Sequence, residues 1–386
     1  MKKIKLFVVI AIMALALCAC GKKDEPAKED NSSTATEEGE TPEDNTDVAE
    51  VDDTDAPETV EEATPEPTED PHKGKVQSKL TGKYISPKKA KKRPYAVMIN
   101  NIQYAAQFQS GLSKAAVLYE AKVEGGITRL LGIFEDTNGL NKIGSVRSAR
   151  HYYVSVADEY DAVFVHFGHT KFALSKIDKL GVDNLSGLSG IGGKVFYRDN
   201  SIKAPHNAFA SDDGLKAGMK SLKYRKNYKD DFEGHFKFYE EDTDLSKGKK
   251  ANKVVVQFSG YTAPYFVYDA DKKVYKRYQY GKAHMDASNN KQLAFKNLII
   301  ECVDDEPIVP GHPKDYRTIN FEKAKGKGKY ITNGKAVDIT WEKNESKHYC
   351  KFFAEDGTEL QINPGKTYVA LLPDENSKLT ISKDKE

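Results

Sequence analysis

Cysteine, tryptophan and long apolar runs are all scarce in this chain. Of its 386 residues only four are cysteine and one is tryptophan. Two of the cysteines, Cys18 and Cys20, sit together near the N-terminus, which leaves Cys302 and Cys350 for the rest of the chain. Two thiols cannot build a disulfide framework; export permits a single bridge, but sequence cannot place the two within bonding distance, and two buried free thiols are the expectation. No Cys or His spacing resembles a zinc site. No glycine-rich phosphate loop and no Gly-x-Ser-x-Gly elbow is present. The familiar nucleotide, metal and serine-hydrolase chemistries thus have no sequence support, and neither metal nor cofactor is expected. Beyond residue 19 no apolar stretch approaches the roughly 20 residues of a spanning helix.

The N-terminus is different. Lys2, Lys3 and Lys5 precede an unbroken apolar run over residues 6–19, the charged and apolar parts of a secretory signal. The run ends in Leu17-Cys18-Ala19-Cys20-Gly21, a lipobox pattern that marks Cys20 for lipidation. The alternative is an ordinary signal cut after Ala19, leaving Cys20 as a free thiol. Two acyl chains would anchor stably, at about 0.8 kcal/mol per buried methylene. The expected location is the extracytoplasmic face of the cell membrane.

From residue 21 to 72 there are 20 acidic residues against three lysines, with no aromatic side chain. Such a segment cannot bury enough apolar surface to offset its ordering entropy, so residues 20–80 read as a lipidated cysteine followed by a disordered acidic linker. The whole-chain net charge of +1 hides this polarity. Once signal and linker are set aside, 53 basic residues face 38 acidic ones, about +15 for the body. An exported basic body suits anionic lipid, peptidoglycan, an anionic wall polymer or another envelope protein, and its compartment argues against nucleic acid.

The fold class expected is α+β, in two domains. Residues 83–238 alternate strand-like segments (94–99, 117–124, 127–135, 162–167) with helical spacing (148–159, 170–180, 212–222), the pattern of a mixed α/β layer. Residues 251–383 look mostly β. Asn333-Gly334 and Asp356-Gly357 each lie between strand-like runs, and residues 265–268 and 274–280 suggest a further hairpin. Residues 304–314, rich in proline, read as a long loop.

Polar residues inside the first domain's strands supply the site candidates. Glu120, Lys122 and Glu124 alternate along one strand, and Arg129 shares a face with Ile127, Leu131 and Ile133. A guanidinium there needs a carboxylate or an anionic ligand; across a Glu124-Gly125-Gly126-Ile127 turn, Glu120 and Glu124 are its natural partners. Arg147 and Arg150 stand at a helix N-terminus, where cations are disfavoured unless an anion binds. His166 interrupts an apolar strand and His206 lies in a proline-shaped loop. Glu124, Glu120, His166 and His206 are therefore the catalytic candidates, each with a purely structural alternative.

The chain resembles the YerB-like family of exported lipoproteins of Gram-positive bacteria. The resemblance rests on Arg93-Pro94-Tyr95-Ala96-Val97-Met98-Ile99-Asn100-Asn101, Gln109-Ser110-Gly111-Leu112-Ser113, Glu124-Gly125-Gly126-Ile127-Thr128-Arg129 and Ile143-Gly144-Ser145-Val146-Arg147-Ser148-Ala149-Arg150. It continues through Phe196-Tyr197-Arg198-Asp199, Pro205-His206-Asn207, Ile339-Thr340-Trp341 and Asn363-Pro364-Gly365-Lys366-Thr367. It implies a two-domain exported lipoprotein and carries over no catalytic residue. Its motifs place Asn100, Asn101, Gln109, Arg198 and Asn207 beside Arg129, Arg147 and Arg150 as ligand-binding candidates.

Two functions follow. In one, the basic body binds peptidoglycan or an anionic wall polymer. In the other, Glu124 is the general acid of a glycan-cleaving enzyme. Glu120 and Glu124 would stand about 13 Å apart on an extended strand, too far for an ordinary carboxylate pair, so single-acid cleavage of the lytic-transglycosylase kind is the enzymatic form. Phosphate-ester chemistry at the three arginines is a weaker third idea.

Overall fold

The computed structural model describes residues 70–322, 324–343 and 349–385; the signal sequence, Cys20 and most of the acidic segment lie outside them. The N-terminal region supplies strands β1 (Tyr95–Asn101), β2 (Val117–Lys122) and β3 (Thr128–Phe134), helix α1 (His151–Glu159), β4 (Val163–His166), α2 (Lys171–Leu180), β5 (Asn184–Ser186), β6 (Phe196–Arg198), β7 (Ala208–Ala210) and α3 (Asp212–Ser221). The C-terminal region supplies β8 (Lys253–Gln257), β9 (Tyr265–Asp269), β10 (Val274–Gln279), β11 (Asn297–Pro307), β12 (Ala324–Thr332), β13 (Lys335–Lys343), β14 (Lys351–Ala354), β15 (Thr367–Pro373) and β16 (Lys378–Ser382). The fold is α+β, mixed in its first half and mostly β in its second.

Local signals account for most of these elements. Thr170 and Ser211 cap α2 and α3 by accepting from Ala173 N and Gly214 N. Asn333 and Gly334, both at positive φ, join β12 to β13 in register Thr332↔Lys335, and β9 pairs with β10 as expected. Two segments depart from expectation. Gln361–Ile362 pairs in parallel with Lys237–Phe238, leaving the Asp356-Gly357 turn only a short hairpin. β11 runs on to Pro307 inside the predicted loop, because Arg317–Asn320 pairs with its end.

The boundary between the two regions is bridged by the sheet. The order is β13-β12-β11-β15-β2-β3-β1-β4-β5, so β15, from the far end of the chain, lies between β11 and β2. It is parallel to both, with Tyr368 opposite Leu118 and Leu298. One face is covered by α1 and α2, whose Tyr152, Tyr153 and Ile177 pack with Val369, Trp341 and Phe352. The other carries α3 and a second sheet containing β8, β9, β10 and β16; Leu215, Val254, Phe266 and Tyr275 pack there with Leu118 and Ile300. Both apolar layers draw residues from both regions.

The lysine run near residue 325 also has a structural reading. Lys325 and Lys327 are exposed on β12, while Gly326 lies directly beneath the Trp341 ring and a Cβ at Gly328 would stand 2.4 Å from the Ile300 carbonyl oxygen. The glycines make room for the lone tryptophan and a neighbouring strand.

Candidate functional site

Strand register separates the predicted residues into two groups. In the β2–β3 pair Glu120 stands opposite Leu130 and Ala121 opposite Arg129. Opposed residues share a face, so Glu120 and Arg129 point to opposite sides of the sheet. The expected Glu120–Arg129 pair is therefore corrected by the alternation itself.

Glu120 is fully buried against the second sheet, where its Oε2 pairs with Arg277 Nη2 at 2.7 Å and accepts from the Tyr368 hydroxyl at 2.8 Å. Its Oε1 accepts from Asn101 Nδ2 at 3.0 Å and Thr128 Oγ1 at 2.6 Å. Arg277 donates in turn to Gln279 and to His284 Nδ1, which leaves the His284 Nε2 hydrogen for Gln109. Burial and the Arg277 charge hold His284 well below the usual histidine range. Gln109 Nε2 closes the network on the Asn100 carbonyl at 2.6 Å and Asn101 Oδ1 at 3.1 Å. Glu120, Asn101 and Gln109 thus tie the two regions together, with no open surface. Arg277, Gln279, His284 and Tyr368 complete the network, and no local sequence signal marks them as partners of Glu120.

Glu124 ends elsewhere. β2 stops at Lys122, and residues 124–126 form a tight turn with Gly125 and Gly126 at φ +69 and +72, which side-chain-bearing residues rarely adopt. The turn swings Glu124 to the helical side. There its two carboxylate oxygens accept from Arg150 Nε and Nη2, both at 2.5 Å. Arg129, 7% exposed, donates to the Ser148 carbonyl at 2.5 Å, and Arg147 to the Pro205 carbonyl at 3.2 Å. Neither forms an ion pair within 4 Å among the described residues.

Positive charge accumulates here. Burial, then the charges of Arg150 and Arg147, push the Arg129 guanidinium down to about 9, and burial with Arg150 lowers Arg147. Burial with Arg147 and Lys203 also lowers His206, whose Nδ1 lies 2.8 Å from Asn100 Nδ2. Helix α1 starts in the same place: Arg150 is its N-cap, with no side-chain cap bond and no acidic residue in the first turn. An open cleft of about 500 Å³ runs past Glu124, Ser148, Arg150, His169 and Thr170 to a wall formed by residues 313–316.

The remaining candidates are dispersed. His166 is 1% exposed and its ring nitrogens meet the Gly168 carbonyl at 2.7 Å and Asn184 Oδ1 at 3.2 Å, the contacts of a core histidine. Arg198 bonds Asn207 Oδ1 at 2.7 Å and stacks over Phe167. Cys302 and Cys350 are both free thiols. Among the described residues no group of three or more His, Cys, Asp or Glu is placed to hold a metal, and no helix is long and apolar enough to cross a membrane.

These placements follow the motif blocks, because Asn100, Arg129, Arg147, Arg150, Pro205 and His206 come from four of them. The models of the "Protein of unknown function (DUF3048)" N-terminal and C-terminal domains match residues 80–225 and 254–369. A Bacillus subtilis (strain 168) protein described as "Putative lipoprotein YerB" is 31% identical over 303 residues, 78% of this chain and 87% of the relative. The chain belongs to the YerB-like family. The crystal structure of YerB from Bacillus subtilis superimposes with a TM-score of 0.69 at 28% identity, covering 79% of this chain and 99% of that one. The two structures share their overall fold across both regions.

Proposed function

We propose that this chain is an extracytoplasmic lipoprotein held to the membrane through Cys20, and that its body binds an anionic wall polymer, or the acidic groups of peptidoglycan, at the arginine cleft. The observation that carries the reading is the surplus of charge: Arg150 is paired with Glu124, while Arg129 and Arg147, close enough to Arg150 to feel its charge, find only carbonyl partners beside an uncapped helix N-terminus. A buried guanidinium without a carboxylate is costly, and an anionic ligand would relieve it. Two exposed rings flank the region in ways suited to sugar faces. Tyr261, 74% exposed, packs beside Gly126, and Tyr104 lies edge-on to His206 at 5.4 Å.

The enzymatic reading keeps one supporting fact, that Glu124 lines the cleft. Against it, both carboxylate oxygens are taken by Arg150, so neither is presented as a proton donor. Incubating the unlipidated mature chain with purified peptidoglycan and with wall polymer separates the two. Saturable binding of intact polymer, lost in Arg129→Gln/Arg147→Gln, is expected. Anhydro-sugar ends that disappear in Glu124→Gln would overturn the binding reading and establish the enzyme.

A further inference from the structure

The largest cleft among those described lies at the other end of the same strands. Asn101 pairs with Thr128 at the arginine end of β1 and β3, and Tyr95 pairs with Phe134 at the opposite end. Six residues of strand put the two ends about 20 Å apart. Beyond Tyr95 and Phe134 a cleft of about 690 Å³ opens between the segment around residue 90, the residues following β3, and α3. Seven of its lining residues are basic and two acidic.

Most of this charge is uncommitted. Arg93 is consumed by Asp183 and Asp161, and Lys216 by Asp212. Lys88, Lys91, Lys92, Lys220 and Lys226 are exposed and form no ion pair among the described residues. The two acidic side chains are already engaged, Asp136 by Lys89 and Glu135 by the Ser78 hydroxyl. The surface of the cleft is mainly apolar, although Tyr95 and Met219 are the only apolar side chains that line it, the rest of the carbon surface falling to the stems of longer polar side chains. Ser78 belongs to the stretch that joins the body to the segment bearing Cys20, so that connection passes the same end of the sheet.

We infer that this lysine-rimmed cleft is a second, separate binding site, which takes the phosphate headgroup and adjoining glycerol of an anionic phospholipid. The rim supplies phosphate-binding ammonium groups and the floor supplies apolar contact, a combination that matches an amphiphile. A wall polymer, polar along its whole length, gains nothing from the floor. With this end on the membrane, the arginine cleft faces away from it. The site does not depend on the arginine reading, and its test uses a chain without lipid.

The experiment is flotation of the mature chain carrying Cys20→Ser with vesicles of phosphatidylglycerol and phosphatidylcholine, or of phosphatidylcholine alone. Binding only to the first is expected. Lys91→Gln/Lys220→Gln/Lys226→Gln should weaken it about 100-fold, at about 5-fold per lysine. Lys249→Gln/Lys325→Gln/Lys327→Gln, which removes the same charge elsewhere, should leave it intact, as should Arg129→Gln/Arg147→Gln. Equal loss in both lysine triples would overturn the site in favour of diffuse charge. Absence of vesicle binding alongside binding of inorganic phosphate, or of a soluble glycerol-phosphate polymer, would overturn the phospholipid assignment. Matching thermal melts establish that the variants are folded.

Discussion

The Glu120–Arg277 network and the Arg129–Arg147–Arg150 cleft use the same kinds of side chain, have their central carboxylates four residues apart in sequence, and occupy opposite faces of one sheet. In the first, each carboxylate oxygen has two partners and Arg277 is fully buried. In the second, Arg150 alone pairs with Glu124 at the edge of an open cleft, and the neighbouring Arg129 and Arg147 have only carbonyl partners. The difference teaches that charge in a strand does not by itself mark a site. What distinguishes the brace is that its carboxylate is fully bonded and enclosed, although the buried Arg277 Nε has no hydrogen-bond partner among the described residues.

The comparison breaks most visibly if the brace is cut. Arg277→Met should destabilise the fold by about 3–5 kcal/mol in urea unfolding, because it strands the buried Glu120 charge. Arg277→Met/Glu120→Leu should recover part of that loss. A single-variant cost below about 1 kcal/mol would mean that the pair does not brace the halves.

In the open cleft the expected order reverses. Arg129→Gln or Arg147→Gln should weaken polymer binding about 10-fold to 100-fold by calorimetry, while the urea midpoint stays within a few tenths molar of the parent. Glu124→Gln removes the carboxylate that pairs with Arg150 and should tighten polymer binding, by less than either arginine change weakens it.

A third polar cluster sharpens the contrast through pH. On the helical face Glu159 pairs with Lys343, and nearby burial and the Glu159 charge hold the Glu301 carboxyl well above the usual range. A carboxyl neutral when folded but ionised when unfolded makes stability fall as pH rises above the unfolded value near 4.5. Glu301→Gln should therefore raise the melting temperature at pH 7 to 8, with the gain shrinking toward pH 4. A gain independent of pH would assign the effect to packing.

Legibility in the sequence followed the range of the interaction. The positions of α2 and α3 and the β12–β13 turn were readable because each depends on neighbours within a few residues. The gathering of arginines at the start of α1 was readable in part, since cations at a helix N-terminus contradict the local dipole preference. The mispairing of Glu120 with Arg129 shows the limit. Alternation placed Glu120 and Glu124 on one strand face, but β2 ends at Lys122 and two glycines turn Glu124 to the other side.

By itself the sequence determined an acidic segment set against a basic body, the α+β class and the family, and it supplied the lipobox pattern on which the lipid-anchor proposal rests. Composition, short-range periodicity and motif identity suffice for these, because none depends on which distant residues meet. Tertiary structure alone decided that β15 enters between β2 and β11, that Arg277 and Tyr368 take Glu120, and that Glu124 is left to Arg150. Those outcomes depend on strand pairing across some 250 residues of chain, where the burial of each charge is settled by which face of which neighbour closes over it.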